Sequence, residues 1–208
     1  MAQAWCKRIL LILAALLLPA ALLRAATTDA TGPAGGSLAG QLLVASPQID
    51  GPPFYHTVIL IVSHDSTGAL GIVINQPLEE RSLASVLEGV GIKDSGAQGS
   101  ILIFAGGPVE PEAGFVIHSS DYHDAKTLDI DGHVAMTSSP QILRDMGHNK
   151  GPKKSLVAFG YAGWGPGQLE AELARHDWFT EPENPKLVFD DDRGGLWDEA
   201  MARRTRDL

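Results

Sequence analysis

The run Gly160-Tyr161-Ala162-Gly163-Trp164-Gly165-Pro166-Gly167 constrains what this chain can fold into more than any other segment. Glycine adopts positive φ without a Cβ clash, and proline suits the start of a helix because the N–H it lacks would find no partner there. The residues that follow, Gln168-Leu169-Glu170-Ala171-Glu172-Leu173, are strong helix formers. The sequence therefore predicts a sharp backbone turn feeding a helix, with Tyr161 and Trp164 held at the corner.

The N-terminus follows a different logic. Lys7 and Arg8 precede an apolar run from Ile9 to Leu23, which ends in Arg24-Ala25-Ala26. A basic start, a short apolar stretch and small residues at its end describe a secretory leader. A membrane span needs about 20 apolar residues. Residues 1–26 are thus expected to be a cleaved leader, residues 27–39 (rich in Thr, Ala, Gly and Ser) a flexible linker, and residues 40–208 the folded domain. On this reading the mature chain is exported to the periplasm and has no membrane span. An uncleaved anchor or a different start codon stays open, and with it a cytoplasmic location.

Loss of the leader would change the chemistry available. Cys6, the only cysteine, leaves with it, so no thiol nucleophile, disulfide or thiolate metal site remains. Lys7, Arg8 and Arg24 leave as well, so 16 basic and 25 acidic residues become 13 and 25, a net charge of −12. Affinity for nucleic acid rests largely on cationic contacts with phosphates, so a nucleic-acid partner is disfavoured.

Across the rest of the chain, short β-favouring runs alternate with short helical ones. Strands are expected at Gln41–Ala45, Thr57–Ser63, Gly68–Asn75 (closed by Pro77), Ser100–Ala105, Phe115–His118, Val134–Thr137 and Ser155–Phe159. The first three are apolar almost throughout, which suits strands covered on both faces. A helix capped by Ser82 carries Leu83, Val86 and Leu87 on one side, with Gly89 past its end. Ser139-Pro140 opens a second helix, with Ile142, Leu143 and Met146 on one face and Gly147 closing it. Further helices are expected at Gln168–Arg175 and Leu196–Arg204, and Gly106-Gly107-Pro108 reads as a turn. Strands and helices interleave without a strict βαβ repeat. The expected fold class is α+β: one domain with a mixed sheet and helices packed on it, in a three-layer arrangement.

Taken together, these segments resemble the AlgH/YqgE family of small bacterial proteins. The resemblance is carried by Gly40-Gln41-Leu42-Leu43-Val44-Ala45-Ser46-Pro47, by Thr57–Leu60 with His64, and by Gly68–Pro77. It continues through Gly106-Gly107-Pro108-Val109, Gly114–His118, Gly160–Leu173, Phe189-Asp190 and Leu196-Trp197. It covers roughly four-fifths of the chain. What it implies is a compact α+β domain whose biochemical role is unassigned, in a family sometimes labelled as transcriptional regulators. The family has no agreed catalytic residue to carry over. Its members usually look cytosolic, so the export-like leader sits poorly with a regulator label.

The residues at strand ends and glycine turns form the candidate pocket: His64, Asn75, Gly106, Gly107, His118, Tyr161, Trp164 and Gln168. Each also has a plainer reading. His64 and His118 follow strands and could line one sheet edge, where histidine would titrate near neutral pH. A histidine at a strand end is more often a hydrogen-bonded structural residue. His118 with Asp121, His123 and Asp124 offers donor types that suit a divalent metal, but their spacing fixes no geometry, and no metal or cofactor is assigned. Asn75 leans towards locking a turn. The turn before Gln168 could present helix N–H groups to an anion, yet Glu170 and Glu172 would repel a phosphate there. Gly163-x-Gly165-x-Gly167 does not match the dinucleotide fingerprint, and Gly147–Ser155 does not match a phosphate loop.

The leading expectation is a non-enzymatic binding or regulatory module with an unknown ligand or protein partner. The alternatives are a small-molecule enzyme using histidine acid–base or metal-assisted chemistry, and a cytosolic regulator of transcription.

Overall fold

The computed structural model describes residues 36–182 and 184–204. The expected leader and residues 27–35 of the expected linker lie outside them. Along the chain come β1 (Gln41–Ala45), β2 (Val58–Asp65), β3 (Gly68–Val73), β4 (Pro77–Ser82), α1 (Leu83–Gly89), β5 (Ser100–Ala105), β6 (Val109–Ser119), β7 (Thr127–Asp129), β8 (Val134–Thr137), α2 (Gln141–Gly147), β9 (Ser155–Trp164), α3 (Gln168–Ala174), β10 (Trp178–Pro182), α4 (Pro185–Val188) and α5 (Leu196–Arg204). The fold is sheet-dominated α+β, as the sequence predicts in outline.

The sheet runs β10-β1-β2-β3-β9-β6-β8-β7, with β4 and β5 branching from it through β9. All pairings are antiparallel except β5 with β9. β9 is the spine of the molecule. One of its edges pairs with β6. Its other edge pairs with β5 at Val157–Phe159 and with β3 at Ala162–Trp164. The change of partner falls at Gly160, whose φ of 77° breaks the strand's alternation. Before it, Leu156 and Ala158 face one core; after it, Ala162 and Trp164 face the other side of the sheet.

Covering both faces explains the near-continuous apolar runs. In β1 and β2, Leu42, Val44, Val58, Leu60 and Val62 pack with Leu187, Val188, Leu196 and Ala200 of α4 and α5. Their neighbours Leu43, Ala45, Ile59 and Ile61 pack on the opposite face with Leu169 of α3, Trp164 and Trp178. A third cluster joins α1 and α2 to β5 and β9 through Leu87, Ile142, Ile103 and Val157. Each such aliphatic side chain contributes about 1.5–3 kcal/mol on full burial. Ser82 caps α1 as expected, its hydroxyl accepting from the Ser85 N–H at 3.2 Å.

Two expectations are corrected. Gly160–Trp164 is not a corner: β9 continues straight through it, because Tyr161 still pairs with Val109 and Ala162 with Gly71. The turn is confined to Gly165-Pro166-Gly167, and Gly167 has φ 71°. The strand expected over Gly68–Asn75 stops at Val73, and beyond it stands Pro77. It opens β4, an exposed edge strand on β5, a position where a missing N–H leaves no ladder bond unmade.

Gly106 and Gly107 do more than turn the chain. β5 and β6 lie on opposite edges of β9, so residues 106–108 must carry the backbone across that strand. A β-carbon on Gly106 would collide with the Gly160 carbonyl oxygen, and one on Gly160 would collide with that of Gly107. The crossing is held by Gly106 N–H donating to the Phe159 carbonyl at 2.7 Å and by Val73 N–H donating to the Gly106 carbonyl at 2.9 Å. Three glycines are needed where two backbones touch.

Candidate functional site

Trp164 ends β9 with its ring on the α3 side of the sheet, and the glycine turn then brings α3 back over it. Trp178, at the start of β10, stands beside it with ring centroids 6.1 Å apart and planes at 82°. Phe54 meets Trp178 edge-on at 5.4 Å. Between the two indoles lies Glu172 of α3. Its Oε2 accepts the Trp164 indole N–H and the Trp178 indole N–H, each at 2.8 Å, while Oε1 accepts from Gln168 Nε2 at 2.9 Å. Gln168 Oε1 in turn accepts the Gly165 N–H at 3.1 Å, closing the turn onto the helix. These residues, with Ile49, Arg175 and Asp177, line a hollow of about 350 Å³. Its lining combines the rings of Phe54, Trp164 and Trp178 with the Glu172 carboxylate.

Two residues before Glu172 and on the other side of the same helix, Glu170 Oε1 meets His64 Nε2 at 3.0 Å. His64 is buried, and its Nδ1 accepts the Leu38 N–H at 3.1 Å. Because Nδ1 accepts, the proton of the neutral ring sits on Nε2 and is donated to Glu170. The Glu170 carboxyl is held below the usual carboxylate range, first by a hydrogen bond from its own backbone N–H and then by His64.

The structure therefore brings Trp164 and Gln168 together in one hollow, while His64 binds the same helix through Glu170 outside the hollow's lining. It does not bring the other predicted residues there. Asn75 Oδ1 accepts the Val58 N–H at 2.8 Å and its Nδ2 donates to the His56 carbonyl at 2.9 Å, fastening the loop before β2. Gly106 and Gly107 sit at the backbone crossing. Tyr161 packs on the opposite face, its hydroxyl 3.4 Å from Glu110.

His118 is the residue farthest removed in register. It pairs with Ser155 at the start of β9, whereas Trp164 ends that strand opposite Ala69, the partner of His64. His118 is wholly buried, with Nδ1 donating to the Ser119 carbonyl at 2.9 Å and Nε2 2.9 Å from Thr137 Oγ1. Thr127 Oγ1 lies 2.7 Å beyond Thr137. Since Nδ1 is the donor, Nε2 accepts from Thr137, which accepts from Thr127 in turn. Burial pushes the His118 pKa down, against a smaller upward pull from the Ser119 carbonyl. Among the described residues, no group of three or more His, Cys, Asp or Glu is placed to hold a metal ion.

Glu172 and Trp178 were missed as partners in the sequence. The spacing of Gln168 and Glu172 carries a signal, since residues four apart share a helix face, but Trp164 stands on the strand before the turn. Trp178 carries none, because nothing local in the sequence marks Trp178–Pro182 as a strand.

Comparison with known proteins fits this architecture. A UPF0301 protein of Jannaschia sp. (strain CCS1) is 43% identical over 166 residues, 79% of this chain and 86% of the relative. One of Sphingopyxis alaskensis is 44% identical over 163 residues, covering 78% and 87%. The solution structure of the AlgH protein from Pseudomonas aeruginosa aligns with a TM-score of 0.70 at 38% identity, covering 83% of this chain and 91% of that one. Protein DIP2367 from Corynebacterium diphtheriae, at 20% identity and a TM-score of 0.62 over 79% of this chain and 85% of its own, shares the fold. Among the described residues no helix is long and apolar enough to cross a membrane. With residues 42–208 matching the model of the AlgH-like family, the chain belongs to that family.

Proposed function

We propose that this protein is a non-enzymatic binding module, exported to the bacterial envelope, that holds its ligand in the hollow beside α3. One observation carries the reading: the site's polar groups are already committed to one another. Glu172 accepts three donors, and both ring nitrogens of His64 are engaged. Groups tied in this way hold a shape; moving a proton would require breaking a bond that orders the site. The aromatic lining suits an apolar or planar part of a ligand, held by shape rather than by the carboxylate, which its three donors already occupy.

Titration with a fragment library, followed through the indole N–H resonance of Trp164, tests the hollow. Binders should shift that resonance and bind more weakly to Trp164→Phe, which keeps an aromatic ring but loses the N–H. Unchanged affinity in that variant would count against the hollow.

Export is tested by mass spectrometry of the native N-terminus. The expected mature chain begins at Ala26 or Thr27; an intact leader in the cytoplasmic fraction would return the regulator reading. The strongly acidic mature chain supports a partner other than nucleic acid.

The His64–Glu170 pair favours one second reading, an enzyme using histidine as acid or base. Turnover of any substrate that is lost in His64→Gln but kept in Trp164→Phe would support it.

A further inference from the structure

A different cavity opens where β5 parts from β9. The two strands pair only at Ile103–Ala105 with Val157–Phe159. The first residues of β5, Ser100–Leu102, pair with β4 alone, and Ser155 and Leu156 of β9 pair with β6 alone. Two strand edges thus face each other with no ladder between them, across a cavity of about 590 Å³. That volume is in the range of small-ligand sites. Ile101, Phe104 and Val157 give it apolar lining.

Its charges are unusual. Arg193 lines the cavity and lies over the Phe104 ring, 5.4 Å from the centroid. Only Nη1 has a hydrogen bond among the described residues, to the carbonyls of Leu187 and Val188 at 3.4 and 2.9 Å. Asp190 and Asp191 line the same cavity, yet among the described residues no carboxylate comes within 4.0 Å of the guanidinium. Burial lowers the Arg193 pKa, and the two aspartates pull it back up from a distance. Opposite charges that face one cavity without touching leave room for something between them.

We propose that this cavity binds a free short peptide with apolar side chains. Its carboxylate meets the unused Nε and Nη2 of Arg193, and its ammonium meets Asp190 or Asp191. Its backbone amides complete the open edges of β5 and β9, as in recognition by strand addition. A zwitterion pairs with both signs of charge here, whereas a simple anion would be repelled by the two aspartates and a simple cation would leave the arginine unpaired.

The test uses L-leucyl-L-leucine on the full chain, read by backbone amide resonances. The dipeptide should saturate in the range of about 1 mM and shift Ser100–Leu102 and Ser155. Its N-acetyl form and its C-terminal amide should each bind at least about tenfold more weakly, since each lacks one charge. L-leucine, which is too short to reach both charged groups and both strand edges, should bind more weakly than the dipeptide. Asp190→Asn with Asp191→Asn should reduce dipeptide affinity and leave the melting temperature unchanged. Arg193→Gln should abolish binding; because Arg193 also holds the end of α4, the amide ligand asks the same question of the unaltered protein. Equal affinity for all four compounds, or shifts confined to the hollow beside α3, would overturn the proposal.

Discussion

The backbone of Gly107 lies against the peptide of Tyr161 so closely that a β-carbon on the glycine would overlap the tyrosine's carbonyl carbon. Gly107 also has φ 151°, which L side chains rarely adopt. The obstacle is main chain, so no rotamer change relieves it.

Gly107→Ala should therefore destabilise the protein by about 3 kcal/mol or more. Gly89→Ala provides the contrast: nothing lies within 4 Å of its added carbon, and the site ends a helix, so stability should hold or rise by up to about 1 kcal/mol. Urea midpoints of the two variants give the answer. Equal midpoints would mean that the crossing relaxes.

Glu172→Ala removes the acceptor for two indole N–H groups at once. A loss of about 1–3 kcal/mol is expected, with both indole resonances moving together. Glu172→Gln keeps one carbonyl oxygen and should lose less. If only one indole responds to the alanine change, the shared clamp is not present in solution.

His118 sets a pH dependence whose sign follows from its buried, neutral ring. Its folded pKa lies below the unfolded value of about 6.5. The unfolded chain thus binds the proton first as pH falls, and stability declines from about pH 6.5 down to the folded pKa. Asp65 and Glu170, whose pKa values are lowered on folding, contribute stability that is lost only at more acidic pH, below about 4.5. Urea titrations between those limits should slope in the parent and flatten in His118→Phe, whatever the absolute stability of the variant. A slope unchanged by the substitution would remove His118 as its source.

Asn75 bridges Val58 and His56 through both ends of its amide. Asn75→Ala should cost about 1–2 kcal/mol and speed amide exchange at Val58, whereas Asn75→Asp should keep an acceptor for Val58 but set a carboxylate oxygen against the His56 carbonyl. Equal exchange rates in all three proteins would place the loop's anchor elsewhere.

The sequence was most legible where local chemistry and burial agreed. Ser82 and the Leu83, Val86, Leu87 stripe marked α1, and the apolar runs at Gln41–Ala45 and Thr57–Ser63 marked strands covered on two faces. It was least legible where a tertiary partner decided. Pro77–Ser82 carries Glu79, Glu80 and Arg81, a polar stretch that becomes a strand because β5 offers an edge. Gly160 looks like a corner, but β3, β5 and β6 hold both sides of it in strand register. At the hollow, glycine and tryptophan were visible in the sequence, whereas the carboxylate joining two indoles depends on a helix returning over a strand. Histidines 64 and 118 look alike in one dimension, and only the pairing along β9 separates them.

The place of β9 in the sheet bears on how the chain can be made. A ribosome delivers β5 and β6 well before residues 155–164, so the two strands that flank β9 are synthesised ahead of the strand that joins them. A chain truncated ahead of Ser155 would lack the partner that both β5 and β6 use, leaving two strand edges unpaired. Four elements still follow β9, so the spine of the sheet is synthesised before its edge strand β10 and before α4 and α5, which cover β1 and β2.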